Sequence, residues 1–145
     1  MEKDFKKLKF DSLGSIKIKM EVKTREGGPN MYRGTTPTHK FCFGEVNPDD
    51  FKEILITYSQ NEVIIMEKHK QDLVITSEEV PSNEETITHY HATIRLTQEE
   101  ANLFNGDRGK PVYIQLRAID YFGNVSASNK MQVSVLDVLN DEVLE

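Results

Sequence analysis

The stretch Pro111–Leu136 decides the fold, and it reads PVYIQLRAIDYFGNVSASNKMQVSVL. Apolar and polar residues alternate along its first half, and Met131–Val135 repeats the alternation. A period of two is typical of a strand with one buried face. Between the halves we predict a turn over Asp120–Asn129, with Gly123 and Asn124 at its tip, because both tolerate a positive φ. The stretch therefore predicts a β-hairpin. The apolar positions of the first strand are Val112, Ile114, Leu116 and Ala118, and the polar positions between them are Tyr113, Gln115 and Arg117.

Short strands separated by turn residues are predicted over much of the chain before this hairpin. Their ranges are His39–Phe43, Phe51–Gln60, Val63–Lys68, Leu73–Thr76 and Thr86–Leu96. Asn61-Glu62 predicts a tight connection within one hairpin, and Glu78–Glu85 predicts a charged loop broken by Pro81. We count roughly seven or eight strands, with turn signals about every 8 to 12 residues, which favours an antiparallel sandwich. We therefore predict an all-β, immunoglobulin-like antiparallel β-sandwich with one short helical crossover and an N-terminal extension.

The helical crossover is predicted at Thr97–Phe104. Thr97 with Glu100 three residues later forms a capping-box pattern, which is typical of a helix start. A parallel α/β fold is disfavoured because no helical segment is long enough for a crossover between parallel strands. We assign residues 31–138 to the sandwich and residues 139–145 to a tail that we expect to fray.

Residues 1–30 are predicted to form a basic arm with one amphipathic strand at Ser15–Lys23. The arm has eight Lys or Arg against five Asp or Glu, a net +3, so the other 115 residues carry −9 of the total −6. Two interpretations stay open for the strand. It is the first strand of the chain's own sheet, or it adds to the sheet edge of another subunit through main-chain hydrogen bonds. The apolar face that would make these contacts is Ile16, Ile18, Met20 and Val22.

Composition narrows the classes of function. An acidic body repels phosphate backbones, so we expect no nucleic-acid partner. The longest apolar runs have only about five or six residues, too few to span a bilayer, so we expect no membrane segment. The single cysteine, Cys42, cannot form an intrachain disulfide. No nucleophile-elbow, Walker or dinucleotide-binding glycine motif occurs. We therefore predict a protein that is not an enzyme and holds no cofactor.

Two pairs of residues are candidate sites. His89 and His91 are two apart on a predicted strand, so both imidazoles project to one face and could bind a metal ion if a third ligand stood nearby. Two solvent-facing histidines are the simpler interpretation, and a metal-dependent enzyme is a third hypothesis for function. Tyr121 and Phe122 precede Gly123 at the hairpin tip, where aromatics either serve as contact anchors or pack over the end of the sandwich.

Two resemblances bear on function. The segment LRAIDYFGNVSASNKMQVSVL resembles the last hairpin of fibronectin type III and related immunoglobulin-like domains. Residues 31–145 are similar to a family of small proteins encoded in phages and prophages of gram-positive bacteria. The matching motifs are RGTTPT at Arg33–Thr38 and LTQE at Leu96–Glu99. Members of that family are usually taken as virion or tail-region structural proteins.

The phage resemblance implies a virion structural protein, made in the host cytoplasm and built into a tail, baseplate or fibre-associated position. Its partners would be other virion proteins and further copies of itself, because virion parts are symmetric. The contact residues would be those of the arm, together with Tyr121 and Phe122. The alternative is a carbohydrate-binding or host-surface adhesion module that uses Tyr121 and Phe122 with His89 and His91 nearby.

Overall fold

Two sheets packed face to face make up most of what the computed structural model describes, namely residues 15–16, 19–23, 30–106 and 110–145. The larger sheet contains β1 (Ser15–Ile16), β3 (Asn30–Tyr32), β5 (Phe51–Gln60), β6 (Val63–His69), β9 (Val112–Asp120), β10 (Val125–Ser128) and β11 (Met131–Leu136). The smaller sheet contains β2 (Lys19–Lys23), β4 (Thr38–Gly44), β7 (Val74–Ser82) and β8 (Glu85–Arg95). A short helix, α1 (Gln98–Ala101), links β8 to β9.

The strand order is that of an immunoglobulin-like sandwich, so the predicted fold class is confirmed. The smaller sheet runs β2-β4-β8-β7. In the larger sheet β9 pairs with β5 on one side and with both β10 and β11 on the other, while β6 pairs with β5. The short strands β1 and β3 add in parallel to β10 and β11, and the other pairs are antiparallel.

The core lies between the sheets and is built from the inward side of each alternating strand. Ile54, Ile56 and Tyr58 of β5 are completely buried, as their spacing predicts. Burying an aliphatic or aromatic side chain stabilises the fold by about 1.5–3 kcal/mol. The outward residues of the same strands are therefore held on a rigid support. Other fully buried members of the core are Met31, Phe41, Phe51, Leu96, Val112 and Ile114.

One polar pair crosses this apolar core. His39 Nδ1 of β4 and the Tyr58 hydroxyl of β5 share a hydrogen bond of 2.7 Å, and both residues are 0% exposed. Burial lowers the pKa of His39 to about 4, so its imidazole is neutral at pH 7. Burial likewise raises the pKa of the Tyr58 hydroxyl. The second ring nitrogen of His39, Nε2, is buried and has no hydrogen-bond partner among the described residues.

The hairpin predicted from Pro111–Leu136 is present, but its turn is shorter than predicted. The turn ends at Asn124, because β10 begins at Val125 and pairs with Ile119 of β9. The return path is then interrupted between Ser128 and Met131, which separates β10 from β11. At this break the Ser128 hydroxyl accepts a hydrogen bond of 2.9 Å from the Leu116 backbone N–H. The Ser128 side chain thus replaces the backbone acceptor that the Leu116 N–H would otherwise find on the neighbouring strand.

The charged loop predicted at Glu78–Glu85 is wrong. β7 continues through Pro81 to Ser82, and the actual turn is Asn83-Glu84, with Asn83 at φ 55°. Proline is tolerated because β7 is an edge strand, where an N–H facing away from the sheet has no ladder partner to lose. The described residues form eleven strands, more than the seven or eight predicted.

The capping box that predicted α1 is present, since Thr97 Oγ1 accepts from Glu100 N and Glu100 Oε1 accepts from Thr97 N. The tail that we expected to fray is held on this helix. Gln98 donates to Leu144 O at 2.8 Å and accepts from Leu144 N at 2.7 Å, as a neighbouring strand would. Asn102 Nδ2 donates to Asp141 O at 2.9 Å.

The single arm strand predicted at Ser15–Lys23 is instead two strands, β1 and β2, which pair with the chain's own larger and smaller sheet. Ile16 of β1 is opposite Ser128, while Met20 and Val22 of β2 are opposite Phe41 and His39 of β4. The backbone pairing therefore favours the interpretation in which the arm supplies the chain's own first strands. Ile18 lies outside the described residues, as do the side chains of the other three predicted contact residues.

Candidate functional site

The tip of the β9–β10 hairpin is organised by one buried carboxylate, that of Asp120. Its Oδ1 accepts from Phe122 N at 2.8 Å and Asn124 N at 2.9 Å, and its Oδ2 accepts from Asn124 Nδ2 at 3.1 Å. Gly123 takes φ 91°, which glycine adopts without strain, and donates to Asp120 O at 3.3 Å. Burial alone would raise the pKa of Asp120, but the hydrogen bonds from Asn124, Phe122 and Gly123 outweigh it and lower that pKa.

The two tip aromatics point into solvent from this fixed turn. Tyr121 is 66% exposed and Phe122 is 76% exposed. The alternative in which they pack over the end of the sandwich is therefore disfavoured. A shallow cavity of about 320 Å³ is lined by Ile119 and the 56% exposed Val125, which flank the tip in sequence, and by Leu55, Ala118, Glu53, His69 and Arg117. The tip aromatics and this cavity are here called the tip surface.

A second concave region lies on the outer face of the larger sheet. It encloses about 570 Å³ above the outward residues of β5 and β9. Thr57 is opposite Gln115 and Ser59 is opposite Tyr113 in the strand register. We call this region the outer groove. Its remaining lining residues are Asn61, Glu62, Lys110, Pro111, Arg117 and Lys130.

The charge of the outer groove is opposite to that of the whole chain. Among the described lining residues Lys110, Arg117 and Lys130 are basic and Glu62 is acidic, so these residues carry +2 in a protein of net −6. Part of the outer groove could be predicted from the sequence, because its residues Tyr113, Gln115 and Arg117 are the outward positions of the strand predicted at the start of Pro111–Leu136. What the sequence could not give is the β5 register and the two lysines that converge on the same face.

His89 and His91 lie on the outer face of the smaller sheet. His91 Nε2 donates to Glu78 Oε1 at 3.1 Å, and His91 Nδ1 is buried with no hydrogen-bond partner in the part of the chain that the structure describes. Cys42 is opposite His91 in the register and lines a cavity of about 690 Å³ with both histidines. Across the described ranges, no group of three or more His, Cys, Asp or Glu side chains could hold a metal ion. The histidines belong to the sheet opposite the one that carries Tyr121 and Phe122, so the fold does not unite them in one site.

The RGTTPT and LTQE motifs serve the fold. The Arg33 guanidinium donates to Asn102 O at 3.1 Å and pairs with Asp141 at 2.6 Å, so it joins α1 to the tail. Pro37 O accepts from Leu96 N at 2.9 Å, which places the two motifs side by side. Glu100, which follows LTQE, forms an ion pair with Lys68 of β6. Of these contacts, the ion pair between Arg33 and Asp141 holds the tail, and we refer to the residues of the two motifs together with Glu100 as the motif clasp.

No protein-family model matches the sequence, and no curated protein is similar to it. Among solved structures the chain is similar to astrotactin-2, described as a conserved vertebrate-specific and perforin-like membrane protein involved in neuronal development. The TM-score is 0.41 at 10% identity over 87% of this chain, which spans only 24% of that protein. It is also similar to AggA, the major subunit of aggregative adherence fimbriae type I from Escherichia coli. There the TM-score is 0.28 at 8% identity, over 86% of this chain and 97% of AggA. Scores this low identify no function.

No helix in the described ranges has both the length and the apolar character needed to cross a membrane.

Proposed function

We propose that this protein is a phage virion structural protein, an assembly module of the tail, baseplate or fibre region that acts through protein–protein contacts. The observation that carries the proposal is the tip surface. Tyr121 and Phe122 are exposed at 66% and 76% on a turn that Asp120 fixes by hydrogen bonds. Large aromatics at the centre of an interface supply much of its binding energy.

The fixed turn makes these aromatics effective anchors. A flexible loop loses conformational entropy when it docks, and that loss weakens binding. Here Phe122 N and Asn124 N are already bound to the Asp120 carboxylate, so the backbone of the tip is ordered before any partner arrives. The exposed Val125 and the adjoining cavity extend the apolar area, which suits an apolar surface on the partner.

The virion part of the proposal rests on the resemblance of residues 31–145 to small phage and prophage proteins. Arg33 and Leu96, which belong to the matching motifs, take part in the motif clasp, so in this chain both residues have a structural role. A particle contains many copies of such a module, so we expect a homo-oligomer or an ordered array with other virion proteins.

The arm residues Ile16, Ile18, Met20 and Val22 stay a prediction as partner contacts. β2 is the outer strand of the smaller sheet and β4 covers one of its edges. The opposite edge is where a neighbouring subunit could add a strand through main-chain hydrogen bonds. In that arrangement β2 would bridge the chain's own sheet and the neighbour's.

Light scattering of the full chain tests the tip surface. We expect masses that are multiples of 16.7 kDa and rise with concentration. The double variant Tyr121→Ser/Phe122→Ser should shift the mass to that of a monomer while its unfolding midpoint in urea stays unchanged. Val74→Ser is the matched control, because Val74 is 63% exposed on the smaller sheet and should leave the mass unchanged.

Two outcomes contradict self-assembly through the tip surface. A full chain that stays monomeric at every concentration has no self-contact at the tip, and a tip variant that still assembles has its self-contact elsewhere. The virion assignment is tested separately by mass spectrometry of purified phage particles from a host that carries the gene. Absence of the chain from those particles would exclude a virion position.

A further inference from the structure

We propose that the outer groove binds an acidic saccharide, a glycan whose sugar units carry carboxylates. This inference stands apart from the assembly function, because Tyr121 and Phe122 do not line the outer groove, although Arg117 lines both the groove and the cavity of the tip surface. The groove lies over the β5–β9 pair, and Tyr121 and Phe122 lie in the turn beyond the end of β9.

The floor of the outer groove is preformed. Thr57 and Ser59 are outward residues of β5, and their neighbours Ile56 and Tyr58 are completely buried. On β9 the outward Tyr113, Gln115 and Arg117 alternate in the same way with buried Val112, Ile114 and Leu116. The backbone beneath the groove is therefore fixed by the core. A volume of about 570 Å³ falls within the range of small-molecule sites in proteins, about 300–1,000 Å³.

The chemistry of the floor suits a sugar. Tyr113 is 42% exposed, so its ring offers a flat apolar surface that ends in a hydroxyl. A pyranose ring has one apolar face of C–H groups and a rim of hydroxyls, which need donors and acceptors beside that surface. Thr57, Ser59 and Asn61 supply such groups. Gln115 Nε2 donates to Ser128 O at 2.8 Å, which holds the Gln115 side chain in one orientation.

The charge of the groove selects an acidic sugar. The Arg117 guanidinium presents a planar fork of donors that matches a carboxylate, and Lys110 and Lys130 add two further positive charges. Among the described residues Glu62 is the one acidic residue that lines the groove, at the turn between β5 and β6. Because residues 31–145 together carry a net charge of −9, the basic groove within them is a local feature that attracts an anion.

An acidic peptide is a poorer fit. Peptides are commonly bound at a free strand edge or in a groove with apolar pockets. The outer groove lies on the face of β5 and β9, whose edges are already paired with each other and with β6, β10 and β11. Its floor is dominated by hydroxyl and amide groups, which suit sugar hydroxyls better than apolar side chains.

Isothermal titration calorimetry of the full chain with three carboxylated polymers tests the proposal. The probes are polygalacturonate, hyaluronan and polysialic acid fragments, and we expect at least one to bind. Arg117→Ala and Tyr113→Ala should each weaken that binding at least tenfold, whereas Tyr113→Phe retains the ring and should lose less. Lys52→Ala is the matched control, because Lys52 is an exposed cation on β5 that does not line the groove, and binding should be unchanged.

Two further probes separate charge from sugar recognition. Maltohexaose, a neutral glycan, should bind at least tenfold more weakly than the best acidic glycan, and so should poly-L-glutamate. The proposal is overturned if none of the three acidic glycans binds or if Arg117→Ala and Tyr113→Ala bind as well as the unmodified chain. Equal binding of poly-L-glutamate would make the groove an acidic-peptide site, which also overturns it.

The tip variant keeps this test independent of the assembly proposal. Tyr121→Ser/Phe122→Ser should bind the acidic glycan with unchanged affinity even where it loses self-association. Loss of glycan binding in the tip variant would contradict the assignment to the outer groove. Failure of glycan binding with normal self-association would remove this inference and leave the assembly proposal standing.

Discussion

His39 is a neutral imidazole inside an apolar core, where only the Tyr58 hydroxyl meets it among the described residues. Its pKa falls from 6.5 to about 4 because burial penalises the charged ring. Protonation therefore favours the unfolded chain, in which the ring is hydrated. Above pH 6.5 the ring is neutral in both the folded and the unfolded chain, so it does not lower the free energy of unfolding. As the pH falls from 6.5 toward 4 the unfolded chain takes up the proton, and the free energy of unfolding decreases by roughly 3 kcal/mol in total.

Urea unfolding at two pH values checks this effect. We expect the free energy of unfolding to be about 2 kcal/mol lower at pH 5 than at pH 7, before most carboxylates titrate. The double variant His39→Phe/Tyr58→Phe removes the polar pair and should show a much smaller change over the same range. An equal pH dependence in the unmodified chain and the double variant would show that another group is responsible.

Asp120 acts at the same scale, on the turn that carries the tip aromatics. Asp120→Ala leaves Phe122 N and Asn124 N without their acceptor, so we expect the free energy of unfolding to fall by about 1–3 kcal/mol. Asp120→Asn keeps one acceptor oxygen and should lose less. Urea unfolding measures both, and equal losses in the two variants would mean that the hydrogen bonds to this side chain are not what orders the turn.

At the scale of elements, the β5–β6 hairpin has a two-residue turn, Asn61-Glu62, in which both residues have a positive φ. Asn61 has φ 53° and Glu62 has φ 64°, the left-handed values that a two-residue type I′ turn requires at both positions. Asparagine occupies this region at little energetic cost, whereas the backbone of glutamate is strained there. Glu62→Gly should therefore raise the free energy of unfolding by about 0.5–1 kcal/mol, measured in urea.

Glu67→Gly is the control for that change, because Glu67 is exposed in the interior of β6 with ordinary strand geometry. It should lower stability by a similar amount, since glycine weakens a strand. If Glu62→Gly is also destabilising, the turn strain inferred from the φ values is not released by glycine.

Period-two alternation and capping chemistry are local signals, and they predicted β4, β5, β9 and the start of α1. The errors arose where a tertiary context overrides a local signal. Pro81 indicates a loop by itself, yet it is tolerated because β7 lies at a sheet edge. The break after Ser128 could not be predicted, because it depends on a hydroxyl that reaches Leu116 N across the ladder.

The candidate sites likewise include features that local sequence signals predict and features that depend on the tertiary structure. The turn with Gly123 at its tip marked Tyr121 and Phe122 as candidate contact residues, but the sequence left open whether they pack over the end of the sandwich, and only the structure shows that they are exposed. The outer groove was missed because it requires the register that places Ser59 opposite Tyr113. His89 and His91 were correctly expected on one face, but the sequence could not show that they belong to the sheet opposite the tip.

At the scale of the whole molecule, the N-terminal strands complete both sheets. Deletion of residues 1–29 removes β1 and β2 and leaves β4 as an unprotected edge. We expect this deletion to lower the free energy of unfolding by about 2 kcal/mol or more, since several backbone hydrogen bonds are lost. Deletion of residues 1–14 removes no described strand and should change stability little. Thermal unfolding of both truncated chains is the measurement, and equal stability of the two would contradict a role for β2 in the sheet.

The parallel pairing of β3 with β11 has a consequence for how quickly the chain can fold. Met31 meets Val135 across the sheet, and Arg33 meets Asp137 at a sequence separation of 104 residues. To form contacts this distant in sequence, the chain must first lose the conformational entropy of a large loop. Domains dominated by such contacts fold in milliseconds to seconds. During synthesis β3 leaves the ribosome long before its partner exists. Its apolar Met31 then stays exposed, so newly made chains depend on protection from aggregation until β11 emerges.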